Sequence, residues 1–475
     1  MPAETRPDAR DRPFRVSIPS TTSLRRRALA AVENERNRMH NAEGTMAGLS
    51  RRAFVGAGAA GAAGTLLTGC RRSTPQTDDS APPARPHDTP LARPDGVDDP
   101  AWAHVRAAFD LEAGTAYMNN AGLGMPPGSV ARAVADGYRA VSREPRRATG
   151  ELRDRVTRRV RPGLAAFLGA DEDELSLTRN ATEALHLSAA GFDLRPGDEV
   201  VFTTQEHPAG RRPWQLRAAR DGIVTREVFI PSPLPGADEV AEAFEAALTP
   251  RTRVVAFCHV TRGGHLYPVR RLAALARDRG ILSHVDGAQA VGMFPIDLHD
   301  LGCDTYSASL HKWFLGPMGT GFLYVRAGAR ECIRSAFAYD ATPENPAFEP
   351  PGTNDLPVRA ALAASLAFME QVGIDRVEAR TRFLSDYLKE RLAGMPGARL
   401  VSGATRETSG PASTIFEIEG VDAVASVPVI AERASTHIDE HRRDGHEAIR
   451  VSTHVYNTTA EIDRLVEALA GLAPA

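Results

Sequence analysis

The chain has 475 residues, of which 42% are hydrophobic and 25% charged. That is enough apolar material for a packed core, which excludes a wholly disordered protein. The 57 Lys and Arg residues are balanced by 60 Asp and Glu residues, giving a net charge of -3 and no overall basic field for nucleic acid. The cysteines have no CxxC spacing, which argues against a disulfide scaffold and a zinc site: Cys70, Cys258, Cys303 and Cys332.

The first 70 residues are predicted to be a leader and not part of the fold. Residues 1–45 are polar and rich in arginine, typical of a disordered extension or a misassigned start, with translation beginning at Met46. Residues 46–70 then carry Arg51 and Arg52, an uncharged Ala/Gly stretch too short to span a membrane, and Cys70. This order indicates a twin-arginine export signal ending in a lipoprotein cysteine. It predicts a protein of the cell envelope, anchored outside the cytoplasm through a lipid on Cys70.

Residues 71–100 are rich in Pro, Asp, Ser, Thr and Arg, which predicts a linker. The remaining chain is expected to fold as a large domain over 101–355 and a small C-terminal domain over 356–475. Short apolar runs alternate with helical patterns in the large domain, as expected for an α/β fold with a doubly wound, mostly parallel sheet. The predicted elements are a helix over 269–279, a long helical segment over 358–392, and strands over 199–203, 253–259, 281–285 and 321–325.

Two residues in the large domain point to chemistry. Asp286 follows a buried strand, where open α/β sheets place their ligands. Lys312 lies in the apolar, Gly-rich context HKWFLGP, where burial would help its amine to lose a proton and attack a carbonyl. Taken singly, each residue is more often an exposed lysine or an acid that caps a turn.

With their neighbours, these residues resemble the aminotransferase class V family of pyridoxal-phosphate enzymes. The resemblance runs from the motif 117–121 (YMNNA) to the motifs 450–452 (RVS) and 456–458 (YNT). It implies fold type I with a smaller α+β C-terminal domain, pyridoxal 5'-phosphate as cofactor, and a homodimer. It also implies that Lys312 forms the internal aldimine and that Asp286 faces the pyridine nitrogen, where a carboxylate favours the protonated ring.

The same resemblance assigns further cofactor contacts. Ala181 and Thr182 begin a predicted helix, whose amides favour an anion, and the family places the cofactor phosphate there. Without the resemblance, this turn would be an ordinary helix cap. The other implied contacts are Ser309 and His311 on the phosphate, His207 stacked on the ring, Gln289 on the phenolic oxygen, and Thr353 reaching the phosphate of a partner subunit.

Arg450 and Asn120 are the residues that the resemblance assigns to the substrate. A planar guanidinium binds a carboxylate through two hydrogen bonds, so Arg450 implies an amino-acid-like substrate. The alternative for an arginine is a surface salt bridge. No metal site is predicted.

Two departures from the family pattern limit the predicted reaction. Cysteine desulfurases carry a cysteine shortly before the substrate arginine, and the segment 436–445 has none, which disfavours that activity. Arg262 stands where desulfurases have asparagine, either altering the ring and substrate choice or simply pointing at water. The predicted reaction at Cα is an epimerisation or a transamination, with elimination by a lyase as the alternative. A non-catalytic exported scaffold that keeps the fold remains the alternative from another class.

Overall fold

A computed structural model describes residues 94–337, 347–443 and 445–472 of the chain. The predicted leader, the lipidation site Cys70 and most of the predicted linker lie outside these residues. Within the described ranges, no helix combines the length and apolar character that crossing a membrane requires.

The strands are short, and those of the main sheet are mostly buried along their whole length. In chain order they are β1 Ala116–Tyr117, β2 Leu175–Thr178, β3 Glu199–Thr203, β4 Val224–Val228, β5 Thr252–Cys258, β6 Leu282–Asp286, β7 Thr305–Ser309, β8 Gly321–Val325, β9 Ala398–Leu400, β10 Ser413–Ile418, β11 Thr436–His437, β12 Asp439–Arg443 and β13 His446–Ser452.

The helices are α1 Ala101–Ala107, α2 Gly128–Arg143, α3 Pro145–Arg155, α4 Arg161–Leu168, α5 Ala181–Gly191, α6 Pro208–Asp221, α7 Ala237–Ala247, α8 Val269–Arg277, α9 Leu298–Leu301, α10 Leu356–Val372, α11 Ile374–Ala393, α12 Ala423–Ala434 and α13 Thr459–Ala470. A π-helical turn at Val156–Val160 joins α3 to α4, and 3₁₀ turns lie at Glu172–Glu174 and Ala327–Cys332.

Seven strands form the main sheet in the order β2-β8-β7-β6-β5-β3-β4. The pairs among β3, β4, β5, β6 and β7 are parallel, whereas β8 runs antiparallel to β2 and β7. The predicted mostly parallel sheet is therefore confirmed. Parallel strands end at the same edge, so β5, β6 and β7 bring Cys258, Asp286 and Ser309 to one side of the sheet.

Apolar packing covers both faces of this sheet. Val201 and Val255 belong to one hydrophobic cluster, while Val200 and Val254, their neighbours along the same strands, belong to another. Successive side chains of a strand point to opposite faces, so the two clusters lie on opposite sides of the sheet. This arrangement, with a helix between each pair of consecutive strands from β3 to β7, is the doubly wound architecture that the sequence predicts.

A smaller antiparallel sheet of order β12-β13-β10-β9 has its own core with α11, α12 and α13. β1 pairs in parallel with β11, so Ala116 and Met118 pack in this C-terminal core although they precede the main sheet. Helix α10 instead packs in the main core through residues such as Leu362 and Leu366. The two cores therefore do not separate at residues 355/356, where the sequence places the domain boundary.

Two segments differ from their predicted form. The helical segment predicted over 358–392 is two helices, because Gly373 between α10 and α11 adopts a φ of 87°, which L side chains rarely adopt. The end of the predicted linker is packed on the body: the carbonyls of Pro94 and Val97 accept hydrogen bonds of 2.7 and 2.6 Å from Arg376 and Arg380. Two arginines of α11 thus hold residues that composition alone assigns to a tether.

Candidate active site

A cavity opens where β5, β6 and β7 end. Seven of the residues predicted to bind the cofactor line it together: Ala181, Thr182, His207, Asp286, Gln289, Ser309 and Lys312. They come from helix starts, strand ends and a turn that are far apart in the chain. The fold therefore collects them at the edge where open α/β sheets bind ligands.

The amine of Lys312 lies in this cavity beside one acid and two arginines. Burial and the charges of Arg450 and Arg262 lower the pKa of Lys312 to about 8. The charge of Asp286 acts in the opposite direction but does not outweigh them. Burial is the largest cause, because a desolvated ammonium is costly. A large share of the amine is therefore neutral near pH 8 and able to attack an aldehyde.

The sequence contains only one other lysine, Lys389. It lies on α11, where its Nζ is 3.2 Å from the hydroxyl of Ser409 and 3.8 Å from a carboxylate oxygen of Asp386. Lys389 does not line the cavity. Lys389 is therefore the control residue for experiments on the Lys312 amine.

Asp286 is the last residue of β6 and is 5% exposed. Its Oδ1 accepts a hydrogen bond of 2.9 Å from the amide of Ala288, which holds the carboxyl at the cavity wall. Burial raises the pKa of Asp286, although the Ala288 amide and the charge of Lys312 oppose the change. A cationic ring nitrogen would remove this penalty by pairing with the carboxylate.

The start of α5 provides polar groups on another side of the cavity. Ser309, at the end of β7, accepts a hydrogen bond of 2.9 Å from the amide of Ala181. Asn180 caps the helix by accepting a hydrogen bond of 2.9 Å from the amide of Glu183. Thr182 lines the cavity at this positive helix end, a position that favours an anion such as a phosphate.

His207 and Gln289 are held in fixed orientations. The Nδ1 of His207 accepts a hydrogen bond of 3.1 Å from the amide of Ala209, and burial with the charge of Lys312 lowers the pKa of His207 to about 4. Its ring is therefore neutral. Gln289 donates to the carbonyl of Ala121 at 2.9 Å and accepts from the indole nitrogen of Trp313 at 2.8 Å.

Four predicted residues do not line this cavity. The Nδ1 of His311 lies 3.3 Å from the carbonyl oxygen of Thr320, and Thr353 lines a separate cavity with residues of α3, α4 and α10. Asn120 is buried, accepts a hydrogen bond of 2.9 Å from the hydroxyl of Tyr456, and has no partner for its Nδ2 among the described residues. Arg450 is the fourth, and its charge still acts on Lys312.

Arg450 is 1% exposed and sits on β13. Its Nη2 donates to Asn119 at 3.0 Å and pairs with Asp439, while its Nε has no partner in the described part of the chain. Burial and the charge of Arg262 lower the pKa of Arg450 to about 10. The guanidinium remains cationic at neutral pH and keeps donor capacity for a carboxylate.

Sequence reasoning missed two of these partners. Asn119 lies in the motif 117–121, but a motif does not show which of two adjacent asparagines contacts the arginine. Asp439 lies in the segment 436–445, whose lack of a cysteine was its one predicted feature. The contact between Asp439 and Arg450 follows from strand register, because β12 and β13 pair so that these two residues lie directly opposite each other.

Arg262 does not point at water. It lines the cavity, and its guanidinium lies 3.2 Å from Asp439 and 2.9 Å from the carboxylate of Glu440. Arg262 and Arg450 therefore share Asp439 as a counter-ion. The solvated alternative considered for Arg262 is wrong, and its effect on the ring or the substrate remains a prediction.

A family model described as aminotransferase class-V matches residues 116–465. The chain belongs to this family. The match spans both sheets and every predicted site residue. The protein is therefore an enzyme of this family, and the alternative of a non-catalytic scaffold is set aside.

Curated relatives of the class V enzyme include proteins named isopenicillin N epimerase and proteins named probable cysteine desulfurase. An isopenicillin N epimerase from Amycolatopsis lactamdurans is 34% identical over 398 residues, covering 78% of this chain and 98% of the relative. A probable cysteine desulfurase from Mycolicibacterium paratuberculosis is 31% identical, covering 75% of this chain and 55% of the relative. Among solved structures, the cysteine desulfurase CsdA from Escherichia coli has a TM-score of 0.68 at 26% identity, over 78% of this chain and 97% of that one.

The cofactor of the class V enzyme is pyridoxal phosphate, the cofactor of its family. A structural neighbour, C-DES, solved with glycine covalently linked to its PLP cofactor, shares the fold with a TM-score of 0.70 at 24% identity. The cavity fits this group. Lys312 offers a partly neutral amine for the aldehyde, Asp286 an acid for the ring nitrogen, and His207 a neutral ring for stacking. Thr182 and Ser309 would hold the phosphate at the start of α5. When bound, the cofactor withdraws electrons from the substrate's Cα.

Proposed function

We propose that this enzyme epimerises an amino-acid-like substrate by removing the Cα proton and adding a proton from solvent to the opposite face. The observation that carries the proposal concerns two residues. The pKa of the Lys312 amine is lowered, and the charge of the buried Arg450 contributes to this lowering. Two relatives named isopenicillin N epimerase, at 34% and 30% identity, support this choice among class V reactions.

Arg450 would bind the substrate carboxylate. Its unpartnered Nε and its planar guanidinium suit a carboxylate, and Asn119 and Asp439 keep the guanidinium from rotating. Holding the carboxylate sets which bond at Cα faces Lys312. An orientation of this kind favours loss of the Cα proton over the other bonds of that carbon.

Lys312 would act as the general base. Its amine, with a pKa of about 8, can hold the abstracted proton at Nζ near neutral pH and release it again. The ring of His207 stays neutral in this pH range and adds no positive charge beside the amine. Lys312 releases this proton to solvent, and delivery of a solvent-derived proton to the opposite face of Cα completes an epimerisation. Delivery of the proton to the cofactor would lead to transamination.

The structure around β12 weighs against sulfur transfer. In the segment 436–445, where desulfurases carry a cysteine, this chain has no cysteine. Residues Asp439–Arg443 of that segment form β12, in register with β13, and Asp439 holds Arg450. A cysteine desulfurase would have to work without this thiol nucleophile.

The reaction is tested by incubating the enzyme with candidate amino acids in deuterated water. Epimerisation predicts deuterium at Cα together with inverted configuration, in wild type and in Lys389→Ala, and neither change in Lys312→Ala. Release of a keto acid that keeps the whole side chain of the substrate would show an aminotransferase instead. Release of sulfide or another β-substituent would show a lyase, and either outcome would overturn the proposal.

We also infer that the enzyme is exported by the twin-arginine route and anchored in the cell envelope through Cys70. The support is the order of Arg51, Arg52, the uncharged stretch and Cys70 in the sequence. The mass of the mature protein from the native host tests this inference. A lipidated chain beginning at Cys70 is expected, and a chain that retains the residues from Met46 would contradict it.

A further inference from the structure

A second buried carboxyl lies next to Asp286, and the reaction outlined above does not use it. Glu206 is 2% exposed and sits in the turn between β3 and α6, directly before His207. Its carboxyl accepts hydrogen bonds from the Thr203 hydroxyl at 2.9 Å and from the Cys258 amide at 3.0 Å, with the Cys258 thiol at 3.1 Å. These three partners are all uncharged groups.

Cys258 links Glu206 to the acid of the cofactor site. Cys258 ends β5, Asp286 ends β6, and the two residues are paired in register across these neighbouring strands. Both line the cavity. The hydrogen bonds from Cys258 therefore connect the turn that carries His207 with the strand edge that carries Asp286.

The two carboxyls also approach each other across a glycine. A Cβ on Gly210 would lie 3.3 Å from Oε2 of Glu206 and 3.8 Å from Oδ2 of Asp286. Because residue 210 is glycine, it places no side chain between the two acids. The charge of Asp286 acts on Glu206, and an ionised Glu206 would in turn add to the negative potential at Asp286.

The titratable groups around Glu206 come from the neighbouring strands. Burial, with the charge of Asp286 on β6, raises the pKa of Glu206 to about 7. Burial raises the pKa of Cys258 on β5 well above its usual value, so the thiol stays protonated. Thr203 on β3 does not titrate in this range, and the charge of Lys312 partly offsets the rise that burial causes in the pKa of Asp286. Glu206 is therefore the group of this cluster that changes charge near neutral pH.

We propose that Glu206 is a positioning residue for the cofactor ring, which ties the His207 turn to the Asp286 strand through Cys258 and strengthens the negative potential at Asp286 when it ionises. This role concerns the cofactor site and does not depend on the proposed epimerisation. An aminotransferase or a lyase with this site would show it equally.

The test is a pH titration of the visible absorbance of the cofactor-loaded enzyme without substrate. Glu206→Gln keeps the size of the side chain and an acceptor for the Cys258 amide but stays neutral at all pH. We expect the absorbance midpoint to fall by on the order of one pH unit, because a negative charge near the ring is lost. Glu206→Ala should lower the midpoint as well and also weaken cofactor retention, because the tie to Cys258 is gone.

The control is Glu199→Gln, which changes a fully buried glutamate at the start of the same strand β3. Glu199 pairs with Arg251 at that opposite end of the strand, so its loss affects the sheet without affecting the cavity. The midpoint of this variant should equal that of wild type. A Glu206→Gln midpoint equal to wild type, or an equal shift in Glu199→Gln, would overturn the proposal. If Glu206→Ala does not fold, the Glu206→Gln midpoint alone decides.

Discussion

At the scale of single residues, the reactivity of Lys312 comes from its surroundings. Burial makes its ammonium costly, and Arg450 and Arg262 repel it, which together outweigh the attraction of Asp286. The same arginines are kept in place by Asp439, which is only partly exposed and therefore less screened than a surface acid. One amine is thus prepared for carbonyl chemistry by neighbours that come from several different elements.

The lowered pKa of Lys312 predicts how the apoenzyme takes up its cofactor. Only the neutral amine attacks the aldehyde, so the rate of covalent attachment should rise about tenfold per pH unit below pH 8 and level off above it. Stopped-flow absorbance after mixing apoenzyme with pyridoxal phosphate measures this rate. A rate that continues to climb to the pKa of an ordinary lysine would contradict the assigned environment.

The geometry at Arg450 predicts a selective loss of substrate binding in Arg450→Lys. An ammonium keeps the positive charge but lacks the planar fork, so KM should rise about 100-fold while bound cofactor is unchanged. Steady-state kinetics and the visible absorbance measure the two quantities. Arg442→Lys on the adjacent strand changes an exposed arginine and should leave KM as it is. An unchanged KM in Arg450→Lys would remove this residue from the substrate site.

At the scale of elements, the site depends on loops that pack closely against one another. The segment after β1 passes over the Lys312 turn, where the amide of Gly124 donates to the carbonyl of His311 at 2.8 Å. A Cβ on residue 124 would lie 1.9 Å from the carbonyl oxygen of Lys312. Only glycine allows this approach, so Gly124 helps to set the position of the Lys312 backbone.

Gly124→Ala should therefore disturb both stability and cofactor attachment. The added methyl forces the Lys312 turn to move, which should cost about 1–3 kcal/mol of the free energy of unfolding and reduce the covalently bound cofactor. Denaturant unfolding and cofactor content measure these effects. The matched control is Gly150→Ala on α3, where a Cβ would meet nothing within 4 Å. If the two variants lose equal amounts of cofactor, the close approach at Gly124 is not what matters.

The elements that could be predicted from sequence are those with strong periodic patterns. The strands predicted over 199–203 and 321–325 match β3 and β8, and those over 253–259 and 281–285 differ by one residue at each end from β5 and β6. The antiparallel direction of β8 could not be read from its apolar run, because such runs look alike in either direction. Asp439 was missed for a related reason, since its contact with Arg450 depends on the register between two strands.

At the scale of the whole molecule, Thr353 lies away from the site that it is predicted to serve. It lines a cavity formed by α3, α4 and α10, which shares no lining residue with the Lys312 cavity. The nearby Glu349 is buried between Arg161 and Arg359 and fixes this region to the main core. Within one chain, Thr353 does not reach the Lys312 cavity. We propose that it serves the cofactor phosphate of a second copy in a homodimer.

This arrangement predicts complementation between two defective chains. Thr353→Ala should weaken cofactor binding about tenfold by removing one hydrogen bond to a charged group, and Lys312→Ala should abolish covalent attachment. In a dimer of one chain of each kind, the chain that keeps Lys312 receives Thr353 from its partner. Co-expressed chains should therefore regain wild-type affinity at one site per dimer. Mixed chains that bind no better than Thr353→Ala alone would contradict the shared site.

The covalent bond between Lys312 and the cofactor can be tested most directly by borohydride reduction, proteolysis and peptide mass measurement. Wild type and Lys389→Ala should retain the cofactor mass on the peptide that contains residue 312, whereas Lys312→Ala should carry none. With only two lysines in the chain, the comparison leaves no third candidate amine on a side chain. Cofactor mass on residue 389, or its persistence in Lys312→Ala, would contradict the account.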